Sequence, residues 1–147
     1  MAYYIYPKGT TGEQLAWMME YVDGVKVSFV DDGDEKLSFE TQRNKIGVDD
    51  VVYVALSKLS PNYEENLKNI VAKLERHRIN YSLDIVLEYV NKSIDKLKKE
   101  CQSEGISKIV CLVMAGFARN KHYGKLGKEL AQRLKFSSRG GDFICLC

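Results

Sequence analysis

Tyr3-Tyr4-Ile5-Tyr6-Pro7-Lys8-Gly9-Thr10-Thr11-Gly12 joins an aromatic run to a loop that holds two glycines. Tyr3 to Tyr6 is β-prone, because aromatic and β-branched side chains fit a pleated, half-buried surface. Past Gly12 the apolar pattern changes period. Leu15, Ala16, Met18, Met19 and Val22 fall on one face at helical spacing. Thr10 or Thr11 is placed to cap that helix, since a short hydroxyl side chain accepts from the orphan N–H groups. Asp23-Gly24 stops it. A strand, a glycine-bearing loop and a helix in this order read as the opening of a Rossmann-like unit.

The rest of the chain continues the alternation. Val25 to Val30 is a second β run, ending in the turn Asp31-Asp32-Gly33-Asp34. Residues 35–50 are polar and irregular, with a short edge strand expected at Leu37 to Phe39. Val51 to Leu56 is an unbroken apolar run, as in a strand buried on both faces of a parallel sheet. Ser60-Pro61 opens a helix with the stripe Leu67, Ile70, Val71 and Leu74. Ile79 to Tyr81 is a short fourth strand. A long amphipathic helix is expected from Leu83 to Glu104, ended by Gly105, with Ile85, Val86, Tyr89, Val90, Ile94 and Leu97 on its apolar face. Ile109 to Met114 is another buried strand. A helix carrying Leu126, Leu130, Ala131 and Leu134 follows, and Phe143 to Cys147 is a last strand.

Alternation of this kind predicts an α/β fold: a Rossmann-like, mostly parallel sheet with helices on both faces and right-handed crossovers. The expected division is a Rossmann-like unit over 1–82, a long amphipathic helix over 83–105 and a β-α-β unit over 106–147. The chain stops inside an apolar run. The expectation drawn from this is the N-terminal piece of a longer protein with a missing C-terminal domain, against the alternative of a native edge strand.

Composition narrows the function classes. Hydrophobic residues at 45% and charged residues at 29% suit a globular core and exclude a disordered chain. A net charge of +2 gives no global field toward nucleic acid or anionic lipid, so neither is expected as a partner. Lys92, Lys96, Lys98 and Lys99 read as a solvated helix face. No apolar run approaches the ~20 residues of a membrane span, and the start M-A-Y-Y-I-Y is no signal peptide. Cys101, Cys111, Cys145 and Cys147 show no zinc spacing and read as reduced thiols of a cytoplasmic protein. Tyr3, Tyr4, Tyr6 and Trp17 are a candidate homodimer face, or core. His77, in Glu75-Arg76-His77-Arg78, reads as structural, because a cation at a helix end suits the helix dipole.

The first candidate site is the loop 7–12. Glycine lets the backbone approach a phosphate or sugar, and the following helix start adds N–H donors and partial positive charge. Gly9 and Gly12 are placed for this, with Thr10 and Thr11 as hydroxyl donors and Lys8 as a charge contact. Of the dinucleotide fingerprint G-x-G-x-x-G only G-x-x-G is present, because Pro7 stands at the first position. The fingerprint also expects an acid about 20 residues on, at the end of the second strand, to hold a ribose hydroxyl. Asp31 stands there, with Asp32 beside it; turn chemistry alone is the other reading of these acids.

I-Y-P-K-G-T-T-G-E-Q-L, then V-S-F-V-D-D, then V-V-Y-V-A-L resembles the N-terminal domain of bacterial sugar O-acyltransferases and N-acetyltransferases of the PglD type. That family reads I-Y-G-A-G-G-H-G, then F-(L/I)-D-D, then V-F-V-A-I-G. The resemblance covers roughly residues 3–81. It implies a domain that binds a nucleotide sugar, with strand-end acids on the nucleoside and the glycine loop along the sugar nucleotide. The matching positions are Gly9, Gly12, Asp31, Asp32 and Ala55. Pro7 replaces the first glycine, Thr11 the loop histidine, and Ser57-Lys58 the glycine-rich turn. The family's left-handed β-helix and its catalytic histidine are absent, so acetyl transfer is not implied.

The second candidate is Ala115 to Gly127, after a buried strand and before a helix. It is similar to the opening of GT-B glycosyltransferases and of glycerophosphotransferases that make polyol-phosphate polymers. Arg119, Lys121 and His122 are its candidate phosphate ligands, with His122 also a candidate base; a basic exposed loop is the alternative. No Walker A, HExxH or serine triad pattern is present. The reading that follows is a nucleotide- or nucleotide-sugar-binding domain, of UDP or CDP type, from a surface-polysaccharide transferase. The alternative is a non-catalytic scaffold that kept the fold and lost the ligand. An NAD-dependent oxidoreductase is third, because the fingerprint is incomplete and Tyr-x-x-x-Lys is missing.

Overall fold

The computed structural model describes residues 1–58 and 60–104. It divides into two compact units, Met1–Tyr89 and Val90–Cys147. The first is α/β, with strands β1 (Tyr3–Tyr6), β2 (Ser28–Phe29), β3 (Val51–Val54) and β4 (Asn80–Ser82). Helices α1 (Thr10–Asp23), α2 (Phe39–Gln42) and α3 (Tyr63–Arg76) connect them, with a 3-10 turn at Arg43–Lys45. Helix α4 (Ile85–Glu104) follows, and its residues from Val90 on begin the second unit. The strands predicted at Ile109–Met114 and Phe143–Cys147, and the helix between them, lie outside the described residues.

All three strand pairings are parallel, in the order β2-β1-β3-β4. Ile5 pairs with Phe29 on one side, and Tyr6 with Val54 on the other. This is the Rossmann-like sheet the alternation predicts. Successive side chains point to opposite faces. Tyr4, Tyr6, Val52 and Val54 therefore share one face, where they pack with Val30, Phe39, Ile70 and Leu74 in a buried core cluster. Tyr3 and Ile5 point the other way. Tyr3 stacks on Tyr53 at 5.6 Å, and Ile5 lies against Gly12 of α1. That second face is covered by the helix whose Leu15, Met18 and Met19 are fully buried.

Several expectations are corrected. The edge strand expected at Leu37 to Phe39 does not form: Leu37 lies in a turn, Ser38 is an N-cap and Phe39 opens α2. The Ser38 hydroxyl accepts from Thr41 N–H at 3.3 Å, so the serine acts as an N-cap and winds the segment into a helix. The second strand is shorter than Val25 to Val30. Its first residue is used by the end of α1: Gly24, left-handed at φ 66°, donates to Glu20, and Val25 donates to Met19 at 3.4 Å. Helix α1 starts earlier than predicted, and neither Thr10 nor Thr11 caps it. Gly9 is the N-cap residue, without a side-chain cap. Tyr4 and Tyr6 form no dimer face; both are buried in the core.

The start of β1 is held by one side chain. Asp50 accepts from the Ala2 and Gly47 N–H groups, both at 2.7 Å. These bonds to the charged form keep the Asp50 carboxyl below its usual range.

Candidate functional site

In an open parallel sheet, ligands bind outside the carboxyl ends of the strands, where the strand order reverses. Here the chain leaves β1 toward β2 and leaves β3 toward β4, on the opposite side. The reversal lies between β1 and β3. The loop that opens at Pro7 and the loop that opens at Ala55 flank it. Lys8 N–H donates to the Val30 carbonyl at 3.1 Å, and Ala55 N–H to the Tyr6 carbonyl at 2.9 Å, so both loops are tied down at their roots.

The two glycines of the first loop do different things. A β-carbon at Gly12 would run into the Pro7 carbonyl oxygen and sit 3.1 Å from Ile5 Cγ2. Gly12 is therefore what lets α1 lie close on β1, the packing task of the last fingerprint glycine. At Gly9 an added β-carbon would meet nothing within 4 Å. Open space adjoins the first turn of α1, where Thr10, Thr11 and Gly12 carry N–H groups with no intrahelical partner. The Lys8 ammonium sits 5.4 Å from the Phe29 ring centroid, beside the end of β2.

The two adjacent acids also separate. Asp31 Oδ1 accepts from Gly33 N–H at 2.8 Å, a local turn bond that leaves the other carboxylate oxygen available. Asp32 is tied into the fold. Its Oδ1 accepts from Phe39 N–H at 3.0 Å, and its Oδ2 from the Lys73 ammonium at 2.7 Å and from the Tyr6 hydroxyl. Lys73 also donates to the Tyr6 oxygen at 3.3 Å. Burial works against charge on Asp32, but the bonds from Lys73, Tyr6 and Phe39 outweigh it and hold the carboxyl below its ordinary value. Burial and the Asp32 carboxylate together push the Tyr6 phenol far up, so it stays protonated and donates.

The sequence reading missed Tyr6 and Lys73 as site residues. Lys73 lies in α3, next to the core position Leu74, and nothing in the fingerprint reaches that far along the chain. The signal that could have found it is a lysine flanking an apolar stripe, Ile70 to Leu74, that covers the strand ends. His77 is the C-cap residue of α3, as its position suggests, and its ring lies 5.3 Å from that of Phe39. Arg119, Lys121 and His122 lie outside the described residues. Among the described residues no His, Cys, Asp and Glu cluster could hold a metal ion, and no helix is long and apolar enough to cross a membrane.

Acid stability follows from the Asp32 ties. A carboxyl with a depressed folded value stabilises the fold above its unfolded value and loses that contribution as pH falls through the folded one. The urea midpoint is therefore expected to fall as pH drops below 3.8, the ordinary aspartate value, with Asp50 contributing in the same sense. Asp32→Asn is expected to flatten that slope. An unchanged slope in the variant would remove Asp32 from the account.

No family model, curated protein or solved structure matches the chain.

Proposed function

We propose that residues 1–82 form a nucleotide-binding unit, with a nucleotide sugar of the UDP or CDP class as ligand, in a transferase of bacterial surface-polysaccharide synthesis. The observation that carries the binding part is the open space at Gly9 beside the uncapped start of α1, at the point where the strand order reverses. A phosphate there meets N–H groups of the first helical turn and the positive end of the helix dipole. Asp31, at the end of the neighbouring strand, has a carboxylate oxygen available for a ribose hydroxyl. The sugar and the transferase rest on the sequence resemblance. In this proposal Gly9, Thr10, Thr11 and Gly12 line the phosphate path through their backbone, and Arg119, Lys121 and His122 belong to the transferase part. Residues 1–82 bind and orient; they supply no turnover by themselves.

A scaffold role is the second reading, and one observation favours it. Asp32, which the resemblance places on the nucleoside, is already held by Tyr6, Lys73 and Phe39. A thermal-shift panel separates the two. UDP, CDP, GDP, their sugar adducts and NAD are tested on the wild type and on Asp31→Ala. One nucleotide class is expected to raise the melting temperature by several degrees, since a ligand at 100 times its dissociation constant adds ~2.7 kcal/mol. Asp31→Ala is expected to abolish that rise. A flat panel sinks the nucleotide assignment and leaves the scaffold.

A further inference from the structure

Three consecutive basic residues, Arg76, His77 and Arg78, stand at the end of α3. A helix C-terminus favours positive charge, but the last carbonyls of α3 are already taken by backbone. Lys73, Leu74 and Glu75 accept from the His77, Ile79 and Arg78 N–H groups at 3.3, 2.9 and 3.1 Å. The arginine side chains are therefore not needed as caps. Arg78 also lies in the left-handed region at φ 54°, where helix ends commonly place glycine. A non-glycine residue is held there at a conformational cost. The side chains of Arg78, Arg76 and Lys45 make no hydrogen bond or ion pair among the described residues, and all three residues are exposed.

The 3-10 turn brings a further guanidinium to this helix end. Arg43 Nη1 donates to His77 Nδ1 at 3.4 Å, since a guanidinium has no acceptor. The neutral imidazole then carries its N–H on Nε2, as a donor. Arg43 Nε is spent on Glu40 at 3.0 Å, which leaves three of the five guanidinium N–H groups. Residues 40–45 and 73–78 hold five Lys and Arg side chains. Three acids answer them: Glu40 on Arg43, Asp32 on Lys73, and Glu75, which accepts from the Tyr81 hydroxyl. Two positive charges are left over, and the groups still free on Arg43, Arg76, His77 and Arg78 are all donors.

We propose that Arg43, Arg76, His77 and Arg78 form a second anion site, for a phosphate monoester. A dianion meets the surplus of two charges, whereas a single carboxylate leaves one unmet. Guanidinium forks also fit phosphate oxygens bidentately. The site lies toward the amino edge of the sheet. Arg78 precedes β4 by two residues, and Asn80 pairs with Val51, which pairs with Tyr3. The first turn of α1 follows the other end of β1, so this site does not depend on the nucleotide proposal.

The test is an NMR titration of the full chain with glycerol 2-phosphate at about pH 7.5, where a monoester phosphate is largely a dianion. Sodium chloride at matched ionic strength is the control. Saturable shifts are expected at Arg43 Nε–H and at the amides of Arg76, His77 and Arg78, and not with chloride. Arg78→Gly is expected to weaken binding about tenfold, the size of one charge-assisted hydrogen bond. Its urea midpoint should stay unchanged or rise, because glycine enters the left-handed region freely. Arg43→Lys keeps the charge and loses the fork, and should weaken binding about threefold or more. Dimethyl phosphate, a monoanion, should bind severalfold more weakly than the monoester. No saturable shifts at these groups, the same shifts with chloride, wild-type affinity in either variant, or equal binding of dimethyl phosphate each overturns the site.

Discussion

Phe39→Ala is expected to lower the unfolding free energy by about 3–5 kcal/mol, the usual cost of emptying a buried aromatic site. Phe39 is 1% exposed. Its ring stacks near-parallel on Tyr6 with centroids 6.0 Å apart and is tilted against His77 at 5.3 Å. It also joins three parts of the first unit. Its N–H reaches Asp32 beyond β2, its ring covers Tyr6 at the end of β1, and His77 belongs to the end of α3. Truncation leaves a cavity where these meet, and neither the sheet nor α3 can collapse freely to fill it. For a chain of this length the melting temperature should drop by roughly 10 °C. Urea unfolding at unchanged slope is the check. A loss below about 1 kcal/mol would mean that α2 does not seal this core.

Gly12→Ala is the second large effect, and its sign opposes helix propensity. Alanine in a helix interior is favoured over glycine by about 1 kcal/mol. Here the new methyl would meet the Pro7 carbonyl, a backbone group anchored by the neighbouring bond from Lys8 N–H to Val30. Overpacking of this kind costs about 1–3 kcal/mol, occasionally more, and backbone contact puts it at the upper end. A net loss of about 2 kcal/mol is expected. Gly9→Ala is the control: its β-carbon meets nothing, so its expected cost is only that of alanine at an N-cap, about 0.5–1 kcal/mol. If Gly12→Ala proved neutral or stabilising in urea unfolding, the close contact of α1 with β1 would be wrong.

The sheet was legible where one signal dominated. The strand of tyrosines, the glycine loop and the Leu15–Met19 face gave β1 and α1. The unbroken run Val51 to Leu56 gave β3, which spans Val51–Val54 with Val52 and Val54 buried and Val51 and Tyr53 only partly so. The segment 37–45 was not legible, since a four-residue helix has too few turns to show a period. Its information lies in Ser38, a cap, and in Asp32, which takes the N–H of Phe39. The candidate site was half legible. Gly9, Gly12, Asp31 and Asp32 all stand at the carboxyl edge, but the tasks of the two glycines differ through what lies within 4 Å of each. The two acids look alike in sequence and differ through Lys73, whose approach is a product of the α3 crossover.

In the proposed complex the first turn of α1 receives a nucleotide phosphate. An amide NMR titration of the full chain with UDP and with CDP tests it directly. The largest shifts, with saturation, are expected at the N–H groups of Thr10, Thr11 and Gly12, accompanied by Asp31 after β2. Saturable shifts that leave the first turn of α1 untouched, or no shifts with either nucleotide, would contradict it.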